Sequence, residues 1–228
     1  WWIECLLMHL DENEILQFWQ ATAGSCTPDI PGAYAAALVA WTEADNTPLG
    51  GEFLMRLGGF ISYAAGASDL TVSLLERAVA AARVPPSPEK EKELAICLNN
   101  LGHEQLMLGR ADEAIRSFGK ALEIRERCLP YGHRHTLGTI DNLGQAHQAA
   151  GRLDDAIHVM RVALKLRLRH LGGYDPDTST SRNNLAMTLL AVGDKAGVSE
   201  AGRLLDEAHV CSVHSLGAGH PDTAISAG

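Results

Sequence analysis

Three short stretches decide the organisation of this chain: Asn99-Asn100-Leu101-Gly102, Asp141-Asn142-Leu143-Gly144 and Asn183-Asn184-Leu185-Ala186. Each stretch begins 42 residues after the one before it. A fixed period in this range is typical of proteins built from stacked repeats. The spacing therefore predicts an array of similar units, each contributing one face to a shared core.

A second apolar set follows each stretch and predicts a second helix in every unit. The three sets are Ala114, Phe118 and Ala121, then Ala156, Met160 and Ala163, then Ala201, Leu205 and Ala208. The last set is shifted by three extra residues in Asp194–Glu200, which a loop can absorb. Small residues at matched positions let two helices approach closely, and each pair buries its apolar face on its neighbour. The pattern predicts an all-α fold of helix pairs.

The unit boundaries follow from the turn residues. Gly109, Gly151 and Gly193 are each suited to the left-handed residue that follows a helix. The chain begins with Trp1-Trp2 and ends one position into the place of the next Asn-Asn-Leu stretch, so we expect it to be a piece of a longer array. We predict six segments: an irregular helical segment at 1–49, a degenerate repeat at 50–87, repeats at 88–130, 131–172 and 173–217, and the start of a truncated repeat at 218–228.

Composition excludes several classes of protein. The 228 residues are 46% hydrophobic with a net charge of -9, unlike a disordered chain or one that binds nucleic acid through a global positive surface. No apolar run of about 18 residues predicts a membrane span. The five cysteines are scattered and odd in number, which favours thiols in a reducing compartment, and we expect a cytoplasmic protein.

The apolar pattern resembles that of tetratricopeptide repeats. The residues that carry the resemblance are Leu98, Leu101, Gly102, Ala114, Phe118 and Ala121. The 42-residue period and the linker Gly219-His220-Pro221-Asp222-Thr223 resemble the kinesin-light-chain type. The resemblance covers residues 88–228 and, more faintly, 50–83. It implies a right-handed α-solenoid of antiparallel helix pairs, and such arrays often follow the nucleotide-binding module of NB-ARC-class signalling ATPases.

The resemblance also implies a concave groove lined by the first helix of each unit. In that family an asparagine at the place of Asn100, Asn142 and Asn184 often bonds the backbone of an extended peptide, because an amide both donates and accepts hydrogen bonds. The alternative is that each asparagine caps or bridges neighbouring helices. Further candidates for the same surface are Asn99, Asn183, His103, Gln145 and Arg182.

Other side-chain chemistry gives no sign of catalysis. His133 and His135 lie two residues apart, but none of the ten histidines shows metal-ligand spacing, so we interpret them as structural or solvated. No Gly-x-x-x-x-Gly-Lys-Ser/Thr loop is present, and no serine or cysteine has a convincing neighbouring base. A basic run on the second helices is interpreted as a solvated face, with an anionic partner as a minor alternative. The run comprises Arg125, Arg127, Lys165, Arg167 and Arg169.

These observations favour a protein-protein interaction scaffold without enzymatic activity, metal or cofactor. We predict that it holds a peptide or a partner's helix in the groove and forms the sensor or regulatory arm of a larger signalling protein. The alternative is a structural arm that self-associates by stacking its exposed repeat ends, giving a homo-oligomer.

Overall fold

The computed structural model describes residues 54–55, 58–59, 62, 66–83 and 87–216, with the backbone alone at 212 and 214–216. None of the described residues lies in a strand. Seven helices have both ends in this part of the chain: α1 (Asp69–Ala82), α2 (Pro88–Met107), α3 (Ala111–Cys128), α4 (Arg134–Ala149), α5 (Leu153–His170), α6 (Pro176–Val192) and α7 (Lys195–Leu216). The chain divides into two compact units between Leu108 and Gly109. The segments predicted at 1–49 and 218–228 lie outside the described residues.

Local sequence signals set the helix ends. Ser87 caps α2 by accepting a hydrogen bond from the Lys90 amide at 3.2 Å, with Pro88 in the first turn. The three turn glycines behave as predicted, because Gly109, Gly151 and Gly193 have φ of 74°, 75° and 75° after α2, α4 and α6. These left-handed residues stop each first helix and let the chain reverse within a few residues.

Helix α4 begins without the proline that starts α2 and α6. Instead, the Nδ1 atom of His133 accepts a hydrogen bond from the His135 amide at 3.2 Å. In the corresponding place before α6, the Asp175 carboxylate accepts from the Asp177 amide at 2.9 Å. An imidazole therefore takes the role of a carboxylate at this one helix start.

The first unit packs α1 against α2. Residues 54–55, 58–59 and 62 are also helical, and a Cβ atom on the buried Gly58 would lie 3.3 Å from Leu75 Cγ. The second unit has the same arrangement, since a Cβ atom on Gly144 would lie 2.7 Å from Met160 Cγ. Gly58 and Leu75 are thus related as Gly144 and Met160 are, but they lie 17 instead of 16 residues apart, with the left-handed Gly66 (φ 83°) between them.

The second unit packs each of its helices on the next one along the chain, from α3 to α7. The small residues at the matched second-helix positions are fully buried: Ala114, Ala156 and Ala201 all have 0% exposure. Apolar side chains of α5, α6 and α7 then close one core around Met160 and Leu185. The full burial of these alanines agrees with their predicted place on the packed face of each second helix.

The interpretation of the basic run as a solvated face is wrong at two positions. Arg125 and Arg167 are buried, with 8% and 5% exposure, whereas the other three residues of the run are exposed. Arg125 Nη1 donates to the His135 carbonyl oxygen at 2.7 Å and to the Thr139 hydroxyl, both on α4. Arg167 forms ion pairs with Asp141 on α4 and Asp177 on α6, so both buried arginines tie second helices to first helices.

Candidate functional site

The predicted groove residues lie on the first helices α2, α4 and α6. Asn100 and His103 belong to α2 in the first unit, and Asn142, Gln145 and Asn184 belong to α4 and α6 in the second. The three recurring asparagines are all half-buried. They are therefore partly accessible to a partner without being loose surface side chains.

In the first unit, Asn100 lines an open pocket of about 340 Å³. The pocket is also lined by Gly59, Ser62, Leu75, His103 and Glu104. Glu104 follows Asn100 by one helical turn, so both side chains lie on the same face of α2. The pocket thus combines an amide, an imidazole and a carboxylate beside an apolar wall.

Two hydroxyl groups hold the Glu104 carboxylate in place. Ser62 Oγ donates to Oε1 at 2.7 Å, and Thr71 Oγ1 lies 3.1 Å from Oε2, although its single hydrogen is shared with the Ser68 carbonyl oxygen at 2.7 Å. The His103 ring lies at the exposed side, with Nδ1 3.8 Å from Oε1. Glu104 itself is only 6% exposed, so the carboxylate is fixed at the inner wall of the pocket.

In the second unit, Asp141 is the centre of a buried polar network. Its carboxylate pairs with Arg167 Nη2 of α5 at 2.5 Å and accepts hydrogen bonds from Ser181 Oγ of α6 at 2.9 and 3.0 Å. Burial raises the pKa of Asp141, while Arg167 and Ser181 act in the opposite direction. Asp141 occupies the place that Asn99 and Asn183 hold in the neighbouring repeats, and here it joins three helices.

The individual amides differ in their surroundings. Among the described residues, no group forms a hydrogen bond with the side chain of Asn100, Gln145 or Asn184, while Asn99 and Asn142 engage other groups. The Oδ1 atom of Asn183 is buried and accepts no hydrogen bond from the described part of the chain. Helix bridging therefore does not account for Asn100 or Asn184 within these residues.

Arg182 is directed towards α7. It is 6% exposed, its Nε donates to Glu207 Oε2 at 3.1 Å, and its Nη1 donates to the Gly173 carbonyl at 2.8 Å. The guanidinium group is thus committed to contacts within the chain. Its role in the second unit is to join α6 to α7 and to the Gly173 carbonyl.

Sequence reasoning did not single out Glu104 or Asp141. The signal that could have found them is a departure from the repeat, because the residues 42 and 84 positions after Glu104 are Ala146 and Thr188. Asp141 departs in the same way from Asn99 and Asn183. A charged residue at a position that is otherwise small or neutral indicates a local partner, which the period alone cannot identify.

Within the described residues, no three side chains of the metal-ligating types are grouped to hold an ion. In the same part of the chain, no helix combines the length and apolar character that a membrane crossing requires.

Known protein families and solved structures contain the same kind of helical repeat as the packing described above. Two tetratricopeptide-repeat models match residues 94–135 and 135–196. No curated protein matches the chain. The three solved structures described next are below 25% identity, and they show the fold alone.

The fold is similar to that of the nearly identical TPR-like repeats of a kinesin-light-chain-type protein from Podosopora anserina, in the structure of a single-site variant. That pair has a TM-score of 0.73 and 18% identity over 91% of this chain and 99% of the other. BtubC (BKLC) from P. vanneervenii has a TM-score of 0.61 and 18% identity, covering 87% and 79%.

A further similar structure is a signal transduction ATPase with numerous domains from Pyrococcus horikoshii, described with a tetratricopeptide repeat sensor. It has a TM-score of 0.67 and 13% identity over 96% of this chain and 33% of that one. The matched models identify residues 94–196 as tetratricopeptide repeats, and the fold neighbours agree with an all-α repeat fold.

Proposed function

We propose that this chain is a non-enzymatic interaction module that binds an extended peptide segment of a partner protein along its first helices. The tetratricopeptide fold generally mediates protein-protein interaction, which gives the class of function. The observation that carries the peptide proposal is the state of Asn100 and Asn184. Each is half-buried on a first helix, and no described residue bonds its amide.

An amide in that setting suits recognition of a peptide backbone. It can donate to a backbone carbonyl and accept from a backbone N–H at the same time, so it reads the main chain whatever the side chains are. Half-burial restricts the asparagine rotamers, which lowers the entropy lost on binding. Such amides occur at Asn100 on α2 and at Asn184 on α6.

Peptide display tests this proposal directly. Random linear peptides are selected on the immobilised protein, and the dissociation constants of the selected peptides are measured by calorimetry. Removing an amide that bonds the peptide leaves peptide groups unpaired, at a cost of about 1–3 kcal/mol, so Asn100→Ala or Asn184→Ala should weaken binding about 5- to 150-fold. The matched control is Arg203→Ala on the second helix α7, where the side chain is exposed.

Two outcomes would contradict the proposal. Selected peptides that bind both asparagine variants as tightly as the wild type would refute the role of the amides. Failure to select any peptide, together with a mass that rises with concentration in light scattering, would favour end-to-end stacking instead.

We propose further that the array is the sensor or regulatory arm of a larger cytoplasmic signalling protein. Its support is the fold similarity to the Pyrococcus horikoshii signal transduction ATPase with its tetratricopeptide repeat sensor. Sequencing the gene on both sides of this segment tests the idea. A Gly-x-x-x-x-Gly-Lys-Ser/Thr loop upstream would support it, and a complete flanking sequence without a nucleotide-binding module would overturn it.

A further inference from the structure

The pocket beside Glu104 contains a buried charge that the repeat does not require. The residues one and two periods later, Ala146 and Thr188, are both fully buried with 0% exposure. Helix packing at this position is therefore satisfied by a small or neutral side chain. A carboxylate here brings a desolvation cost that needs compensation from hydrogen bonds or an opposite charge.

The compensation within the described residues is only partial. A carboxylate offers about four lone-pair positions, and Ser62 and Thr71 fill at most one on each oxygen of Glu104. No lysine or arginine of the described residues forms an ion pair with it. Within the described part of the chain, the ion-pairing group beside it is the His103 ring, whose Nδ1 lies 3.8 Å from Oε1 and whose side chain is 59% exposed and can turn away.

We propose that this pocket binds a primary ammonium group, the lysine side chain of the segment that the module recognises. The inference rests on the proposed peptide-binding function and names one side chain of its ligand. The ammonium would donate to the remaining acceptor positions of Glu104 and to Oδ1 of Asn100. The lysine methylenes would run along the apolar wall that includes Leu75.

The geometry favours an ammonium over a guanidinium group. Arginine binds carboxylates best through a planar fork that needs both oxygens along one edge. The Ser62 hydroxyl donates to Oε1, and the Thr71 hydroxyl stands 3.1 Å from Oε2, so neither oxygen is clear of a neighbouring hydroxyl group. An ammonium is a compact donor with three rotatable hydrogens, so it can use one carboxylate oxygen and the amide oxygen one turn away.

The first test uses n-butylammonium chloride as the probe and nuclear magnetic resonance of the full chain as the measurement. We expect saturable shifts at the backbone amides of Thr71, Asn100 and Glu104. The neutral isostere n-butanol should not produce them, and Glu104→Gln should weaken the effect at least ten-fold. Glu126→Gln on the exposed face of α3 removes the same charge elsewhere and should leave the shifts unchanged. Equal shifts with n-butanol, or with Glu104→Gln, would overturn the proposal.

A second variant covers the case in which Glu104→Gln fails to fold. Asn100→Ala removes the other acceptor from a half-buried position that no described residue bonds, so the fold should persist. It should weaken n-butylammonium binding several-fold. Unchanged binding of the probe to folded Asn100→Ala would remove the amide from the site and refute the two-acceptor geometry.

A peptide experiment separates this inference from the proposed function. Peptides selected on the protein should share a lysine, and replacing it with norleucine should weaken binding at least ten-fold to the wild type but not to Glu104→Gln. Peptides that depend on Asn184 yet lack a basic residue would overturn the lysine pocket and leave peptide binding standing. Saturable n-butylammonium binding without any selectable peptide would support the ammonium pocket and overturn the proposed peptide binding.

Discussion

Two glycines on the same helix give opposite predictions for the same substitution. A Cβ atom on Gly144 would lie 2.7 Å from Met160 Cγ and 3.3 Å from its Cε atom, closer than packed carbon atoms approach. A Cβ atom on Gly138 would meet nothing within 4 Å. Both residues belong to α4, so alanine brings the same gain in helix propensity at each site.

Helix propensity and core packing together set the expected change in the free energy of unfolding. Replacing glycine with alanine in a helix stabilises by up to about 1 kcal/mol, and overpacking a filled core costs about 1–3 kcal/mol. Met160 is 1% exposed and its Cγ lies in the middle of the side chain, so it cannot avoid the new methyl by turning outward. Gly138→Ala should therefore raise the free energy of unfolding. The free energy of unfolding of Gly144→Ala should be about 1–3 kcal/mol lower than that of Gly138→Ala, and that of Gly144→Leu should be lower still.

The assay is urea unfolding followed by circular dichroism for wild type and variants. Because propensity cancels between the two alanine variants, their difference measures packing alone. In a double-mutant cycle, Met160→Ala should recover part of the loss in Gly144→Ala, with a coupling energy of about 1 kcal/mol or more. If Gly144→Ala is as stable as Gly138→Ala, the close approach of α4 and α5 described here is wrong.

Three further predictions concern buried charge and thiols. Arg167→Ala leaves the buried Asp141 carboxylate without its cation and should cost about 3–5 kcal/mol in urea unfolding at pH 7. Because burial raises the pKa of Asp141, its contribution to the free energy of unfolding is fully present below about pH 4 and is lost as the pH rises through the raised pKa. In Asp141→Asn, that decrease in the free energy of unfolding with pH should be absent. Burial raises the pKa of Cys97 to about 11. In a variant that keeps only Cys97 and Cys128, with the remaining three cysteines changed to serine, Cys97 should react with a disulfide reagent at pH 8 far more slowly than the half-buried Cys128.

Each of these predictions has an internal comparison. Arg169→Ala removes an exposed arginine two residues away and should change stability by less than about 0.5 kcal/mol, so an equal effect of the two arginine variants would contradict the buried ion pair. A difference between Asp141→Asn and wild type that grows in favour of wild type as pH rises would reverse the sign of the Asp141 shift. Equal reaction rates of the two thiols would show that Cys97 is not shielded by its helix.

The repeat itself could be read from the sequence because its determinants are local and periodic. Glycine at a left-handed turn and alanine at a close helix contact are dictated by backbone geometry, so they recur wherever that geometry recurs. Gly151 and Ala156 illustrate both cases, with φ of 75° and 0% exposure. The faint earlier repeat has the corresponding contact, between Gly58 and Leu75.

The polar interior could not be read in this way. A charged residue in a repeat predicts a solvated face, and that rule failed for Arg125 and Arg167 because their partners lie on other helices. Asp141 pairs with Arg167 on α5 and Ser181 on α6, and nothing in the 42-residue period specifies such pairings. Glu104 is the same case, since its carboxylate is held by hydroxyls from two separate segments.

The sequence by itself therefore determined the repeat, its helix ends and the small residues at its contacts, since each depends on a residue and its near neighbours. Only the tertiary structure decided which charged side chains turn inward, because the free energy of a buried charge is set by the groups that surround it in space. The asparagines of the repeat lie between these two cases. Their position follows from the period, whereas the availability of Asn100 and Asn184 follows from the hydrogen bonds that the packed helices leave unmade among the described residues.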